Sequence, residues 1–171
     1  YAGEPARMPV PMQACLAGQT WRWDGIDFRV LSPGPASADV HGNDRSCVLL
    51  VEGRAGRLLL TGDIGRRLEA QLDVPAAAGK PLVLLVPHHG SNSASGSGFI
   101  AAVQPALAVV SAGWRNRFGH PRAEVVARYA GAGVPVLNTA ELGAVPLAFP
   151  PDAAPAAGVG WRQRQARYWR E

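Results

Sequence analysis

A mixed α/β fold follows from three observations on the sequence. Short apolar, strand-like runs at 47–52, 57–61, 82–86 and 106–111 alternate with stretches of helical period at 64–72 and 123–130. The chain carries 20 glycines and 15 prolines, so its elements are short and its turns many. Hydrophobic residues make up 47% and charged residues 18% of the 171 positions, a core-forming composition of single-domain size.

Residues 1–20 are rich in Pro and Ala, lack a period, and read as a linker or connecting loop. Residues 21–31 set Asp24-Gly25 between two β-prone runs, which predicts a hairpin. A Pro/Gly/Ser/Asp-rich loop over 32–45 leads to a second hairpin, strands 47–52 and 57–61 turning at Gly53-Arg54-Ala55-Gly56. Ile64, Leu68 and Leu72 share one face, so an amphipathic helix is expected over 64–72. After a linker at 75–80, the all-apolar run 82–86 predicts a strand buried on both faces. The Ser/Gly/Asn stretch 91–98 reads as a flexible loop. It is followed by a short helix at 99–103, a second buried strand at 106–111, a loop at 113–121 and a helix at 123–130. Strands at 134–137 and 144–149 close the domain part, 21–150, and no internal repeat is visible.

Residues 151–171 form a basic aromatic tail, with Arg162, Arg164, Arg167 and Arg170 among Trp161, Tyr168 and Trp169. Two readings stand: a last strand or tail whose aromatics pack on the core, or an arginine–aromatic mixture suited to phosphate contact and base stacking. The net charge is +4, and Lys80 is the single lysine. The apolar runs fall far short of the ~20 residues a membrane span needs, and 1–12 has no apolar signal core. Cys15 and Cys47 make neither a disulfide framework nor a CxxC; Cys47 opens an apolar run and reads as a buried small hydrophobe. The first residue is Tyr, which reads as a chain taken from a longer protein.

The chemistry concentrates after successive strands. Thr61-Gly62-Asp63 follows one, Pro87-His88-His89-Gly90-Ser91 the next, and His120 lies in the loop beyond the third. Loops at the carboxyl ends of neighbouring strands converge on one edge of an α/β sheet, where ligands bind. Asp63 is a hard oxygen donor able to bridge two cations, or a cap for the helix starting at Ile64. His88 and His89 serve one site only if the chain turns at the pair, because side chains of adjacent strand residues diverge. One imidazole suits a metal and the other a phosphate oxygen or leaving group; the bland reading is two hydrogen-bonded surface histidines. His120, before Pro121, is a ligand, a substrate contact or a helix-start residue. Arg115 and Arg117 suit a phosphate-bearing substrate, or are solvated arginines. His41 reads as structural.

The order LLLTGD, PHHGS, AVVSAGWRNRFGHP and a strand-forming tail resembles the metallo-β-lactamase superfamily, and more closely the C-terminal domain of ComEC-type DNA-uptake proteins. The resemblance covers roughly 20–171 and includes Asn43-Asp44-Arg45-Ser46-Cys47-Val48-Leu49. The TGD–HHGS–GHP combination is specific, whereas any one motif alone is weak. It implies half or most of an αββα sandwich, a two-metal hydrolytic site taking Mn or Zn, and single-stranded DNA as substrate. Asp63 matches the bridging aspartate and His89 a metal ligand, with His88 near the scissile phosphate and His120 lining the site. Arg115, Arg117, Arg162, Arg164 and Arg167 are the nucleic-acid-binding candidates.

The superfamily's first ligand cluster, HxHxDH or a near variant, does not occur in residues 1–171, whose histidines are His41, His88, His89 and His120. The expectation is therefore the C-terminal half of a nuclease domain. Alone it should be inactive, hold metal weakly or not at all, and self-associate through its exposed sandwich face. Family context implies the periplasmic face of a bacterial inner membrane, with the rest of an integral membrane protein as partner. Two rivals remain: a small-molecule phosphodiester hydrolase of the same fold, and a non-catalytic DNA-binding module.

Overall fold

The computed structural model describes residues 13–34 and 42–165. His41, Arg167, Tyr168, Trp169 and Arg170, and the linker reading of 1–12, lie outside the described residues. Strands β1 (Thr20–Trp23), β2 (Ile26–Ser32), β3 (Val48–Glu52), β4 (Arg57–Leu60), β5 (Leu82–Leu85), β6 (Leu107–Val110) and β7 (Val136–Asn138) form one seven-stranded sheet in sequence order. Pairings from β1 to β4 are antiparallel and those from β4 to β7 parallel. The fold is mixed α/β, as the alternation of elements predicts. The first hairpin turns at Asp24 and Gly25, with φ of 50° and 76°, the left-handed pair that matches strand twist. Trp21 stacks on its cross-strand partner Phe28 at 5.0 Å.

Each parallel crossover carries a helix: α1 (Arg66–Glu69), α2 (Ser97–Val103) and α3 (Ala123–Gly131). Strands added in one direction by right-handed crossovers put their helices on one face. The main core lies there, with Leu59, Leu84 and Val110 of the sheet against Phe99, Ile100, Val125 and Tyr129. A smaller apolar cluster, Val83, Leu107 and Val109 with Leu58, Leu137, Leu147 and Phe149, occupies the other face. β5 and β6 are thus buried on both sides, which is why their sequences are unbroken apolar runs. A two-stranded ribbon, β8 (Leu147–Ala148) with β9 (Ala156–Ala157), and two one-turn helices, α4 (Thr139–Leu142) and α5 (Trp161–Arg164), complete the described chain.

Several expectations need correction. The helix expected over 64–72 is a single turn, α1. Ile64 is fully buried ahead of it, and the Gly65 N–H is held by Asp44 Oδ1 at 2.9 Å. Pro75 disfavours helical geometry at Val74, but Leu68 and Leu72 still pack on the core. The described part of the tail holds a short strand, β9, followed by one helical turn, α5, and α4 is a further turn that the sequence reading does not contain. Its signal is Asn138, whose side-chain oxygen accepts from the Ala140 N–H at 3.0 Å. Cys47 is exposed and disulfide-bonded to Cys15, with Cα atoms 5.9 Å apart, rather than a buried hydrophobe. Two cysteines far apart in sequence give no local sign of pairing; here β2 and β3 bring them together. The adjoining Ala17 and Gly18 N–H groups donate to Pro33 and Val30 carbonyls.

The 91–98 stretch is not a free loop either, since Ala94 and Ser95 are fully buried. Glu69 accepts from the Ser95 N–H at 2.5 Å and the Gly96 N–H at 2.9 Å, and Arg128 donates to the Ala94 carbonyl. Burial pushes the Glu69 carboxyl above its ordinary range, against the lowering effect of these N–H donors and of Arg66 and Arg128. Ser95 Oγ also meets the buried Tyr129 hydroxyl at 3.0 Å. Burial raises that phenol to about 12. The folded state therefore holds the phenol proton more tightly than the unfolded chain. Its contribution is intact below pH 10 and is lost as pH rises from 10 through about 12. Tyr129→Phe should lower stability by about 1–2 kcal/mol near neutrality, because Ser95 loses its partner. The variant should also show a shallower loss above pH 10, and urea unfolding across pH 7–12 measures both effects.

Candidate active site

The carboxyl ends of β4, β5 and β6 converge as expected. Thr61, fully buried, donates through Oγ1 to the Leu85 carbonyl at 2.8 Å and ties the end of β4 to that of β5. Gly62 has φ of 57°, and a Cβ there would lie 2.7 Å from Ser46 Cβ, so glycine is required. Ser46 Oγ accepts the Asp63 N–H at 3.0 Å and donates to the Asn43 carbonyl at 2.6 Å. Asp63 is not a helix cap: Gly65 takes the N-cap position of α1 without a side-chain bond. The Asp63 carboxylate instead lies at the surface beside His89.

The chain does turn at the histidine pair. His88 and His89 both adopt left-handed conformations, φ 49° and 55°, and the His88 N–H donates to the Gly62 carbonyl at 3.0 Å. That turn aims both rings at one site. His89 Nε2 lies 3.4 Å from Asp63 Oδ1, and both side chains are about half exposed. His89 Nδ1 is 2.7 Å from the Ser111 carbonyl, which can only accept, so Nδ1 carries the hydrogen. In the neutral ring, Nε2 then turns a lone pair toward the carboxylate, an arrangement that is favourable only with a cation or a proton between them. Two ligands ~2.0–2.1 Å from one tetrahedral ion stand about 3.4 Å apart. The pair therefore fits a divalent ion, with Ser111 fixing the tautomer. Among the described residues no three His, Cys, Asp or Glu side chains group closely enough to hold an ion by themselves.

His88 is half-buried. Its Nδ1 meets Ser93 Oγ at 3.1 Å and its Nε2 meets Asn43 Nδ2 at 3.3 Å. The His120 ring stands edge-on to His88 at 6.2 Å. Burial holds the His120 imidazole below its ordinary pKa, and Arg122, His88 and His89 add to the effect. Its Nδ1 is buried without a partner among the described residues. The loop is anchored on Asn116, which accepts the His120 N–H at 2.9 Å and donates to the His120 carbonyl at 2.7 Å. Gly90 packs so closely on Pro121 that a Cβ would lie 2.6 Å from the proline Cβ. The Gly90 carbonyl also accepts the Arg122 N–H at 2.9 Å, so the three loops are locked together.

Asp63, His88, His89 and His120 are therefore brought to one place. Arg115 and Arg117 are exposed on the His120 loop, and Arg162 reaches that loop from α5, standing 5.3 Å from the Trp114 ring centre. Arg164 lies over Trp161. Sequence reasoning missed Asn43, Ser93 and Ser111, whose contacts to the histidines arise only from tertiary placement.

No family model matches the chain. It is 38% identical over 147 residues to Competence protein ComA of Neisseria gonorrhoeae, a match covering 85% of this chain and 21% of that protein. Similarity to ComE operon protein 3 of Bacillus subtilis is 33% over 139 residues, 80% of this chain and 17% of that one. The chain is homologous to one segment of these competence proteins. Recombination protein 2 of Haemophilus influenzae is 35% identical over 135 residues, 79% of this chain and 17% of its own length. The chain thus spans about a fifth of the length of the curated relatives it matches. A match covering 85% of 171 residues takes in Asp63 to His120 wherever it starts, so the homologous segment contains the converging loops.

Proposed function

We propose that the chain is the part of a competence DNA-uptake protein that holds one side of a metal-dependent DNA phosphodiesterase site. The names of the homologous proteins support the competence role. The hydrolytic reading is carried by one observation: Asp63 and His89 face each other at ligand-sharing distance, with His89 Nδ1 committed to Ser111. In this reading the sheet is half of a metallo-β-lactamase αββα sandwich. The rest of the parent protein supplies the other half and the missing ligands. A divalent ion, Mn or Zn, would supply Lewis acidity at the phosphoryl oxygens and a more acidic water. Asp63 and His89 would hold it. His88 is oriented by Ser93 and loses only its longer contact, to Asn43, when Nε2 turns to a phosphate oxygen. His120, kept neutral by burial, lines the site without adding charge. Arg115, Arg117, Arg162 and Arg164 neutralise flanking phosphates.

The proposed location is the extracytoplasmic face of a bacterial inner membrane, as a domain of an integral membrane protein. The Cys15–Cys47 disulfide supports an oxidising compartment. No described helix is long and apolar enough to cross a membrane.

The test is cleavage of labelled single-stranded DNA by the full-length parent protein with Mn²⁺, with EDTA, and against a small phosphodiester competitor. Metal-dependent cleavage that the small ester competes with only weakly is expected. Preferential hydrolysis of the small ester would shift the substrate class. DNA binding without cleavage would favour a binding module, a reading supported by the exposed arginines and aromatics of 114–118 and 161–164.

A further inference from the structure

Asn116 turns inward to anchor its loop, and its neighbours are thereby thrown outward. Trp114 is 55% and Phe118 56% exposed, although burial of such rings would be strongly favourable. Each carries a guanidinium near its ring. Arg115 and Arg162, from separate segments, both stand by Trp114, at 5.5 Å and 5.3 Å, and Arg117 lies 4.8 Å from the Phe118 centre. None of these guanidiniums lies within ion-pair distance of a carboxylate among the described residues. The patch is continuous with the candidate active site, because Phe118 stacks on His120 at 5.8 Å and His120 meets His88.

Flat rings with cations beside them match one ligand chemistry: a polyanion that carries exposed flat groups. A base stacking on the indole takes the place of a guanidinium, which moves to the adjacent phosphate, so the cation–π contacts hold the arginines ready for the exchange. We propose that Trp114, together with Phe118, is a base-stacking platform that makes unpaired DNA the preferred ligand. Duplex DNA buries its base faces and offers this surface only phosphates. The inference rests on the DNA reading above but names the residues that select the strand form.

The experiment is equilibrium binding of the chain, in EDTA so that metal plays no part. The probes are fluorescent oligo(dT) of about 12 nucleotides and a hairpin duplex of similar length. Wild type should bind oligo(dT) more tightly than the duplex. Trp114→Ala should weaken oligo(dT) binding on the order of 10-fold or more and leave duplex binding unchanged, while Trp114→Phe restores most of the loss. Trp23→Ala, 75% exposed on β1, should behave as wild type. Thermal melting confirms that each variant is folded. Equal loss on both probes, unchanged oligo(dT) binding in Trp114→Ala, a wild-type preference for duplex, or no wild-type binding at low salt would each overturn the platform. Because cleavage is not read, failure of the metal site leaves this result intact, and the converse also holds.

Discussion

Breaking the Cys15–Cys47 disulfide should destabilise the chain by roughly 3–4 kcal/mol. The bridge closes a loop across a sequence separation of 32, and the entropy such a crosslink removes from the unfolded chain is of that size. For a chain of this length the melting midpoint should fall by about 10 °C. The effect should reach the candidate site, because Cys47 adjoins Ser46, which holds the Asp63 N–H, and Ser46 in turn holds Asn43. Melting with and without reductant, beside the Cys15→Ser/Cys47→Ser variant, measures it. Identical midpoints in all three would show that the crosslink contributes nothing.

Substituting the two adjacent histidines should give different losses. His89→Ala removes a group that faces Asp63 and is fixed by Ser111, so the full-length parent should lose metal-dependent cleavage by about 100-fold or more, with a higher metal requirement. His88→Ala removes a ring held by Ser93 and Asn43. It should lower kcat with an unchanged metal requirement, by a factor on the order of 100. Metal titrations of cleavage rate separate the two. Matching metal curves for both variants would contradict the division of roles.

The β5 and β6 runs and the Asp24-Gly25 hairpin were legible because burial on two faces and left-handed turn geometry leave direct marks on sequence. The meeting of the three loops was legible from their position after successive strands. Asp63 was ambiguous, because a carboxylate before a helical period reads equally as cap or ligand. What decides it is Asp44, 21 residues before Gly65 in sequence, which takes the Gly65 N–H and frees the Asp63 side chain. The order of 91–98 was hidden for a similar reason: Glu69 and Arg128, from different helices, hold a stretch whose own composition is that of a mobile loop. The disulfide likewise depends on the β2–β3 pairing. Polar contacts made across the fold carry no local period and leave no mark a single sequence can show.

Asp63 gives the most direct measurement. Cleavage of single-stranded DNA by the full-length parent protein would be followed with Mn²⁺ in wild type and Asp63→Ala, with DNA binding measured in parallel. The expected result is loss of cleavage in the variant to the level seen with EDTA, while binding through the arginine–aromatic patch persists. Cleavage by Asp63→Ala at the wild-type rate, or wild-type cleavage that EDTA does not touch, would contradict the shared-ion reading and leave Asp63 and His89 as a surface ion pair.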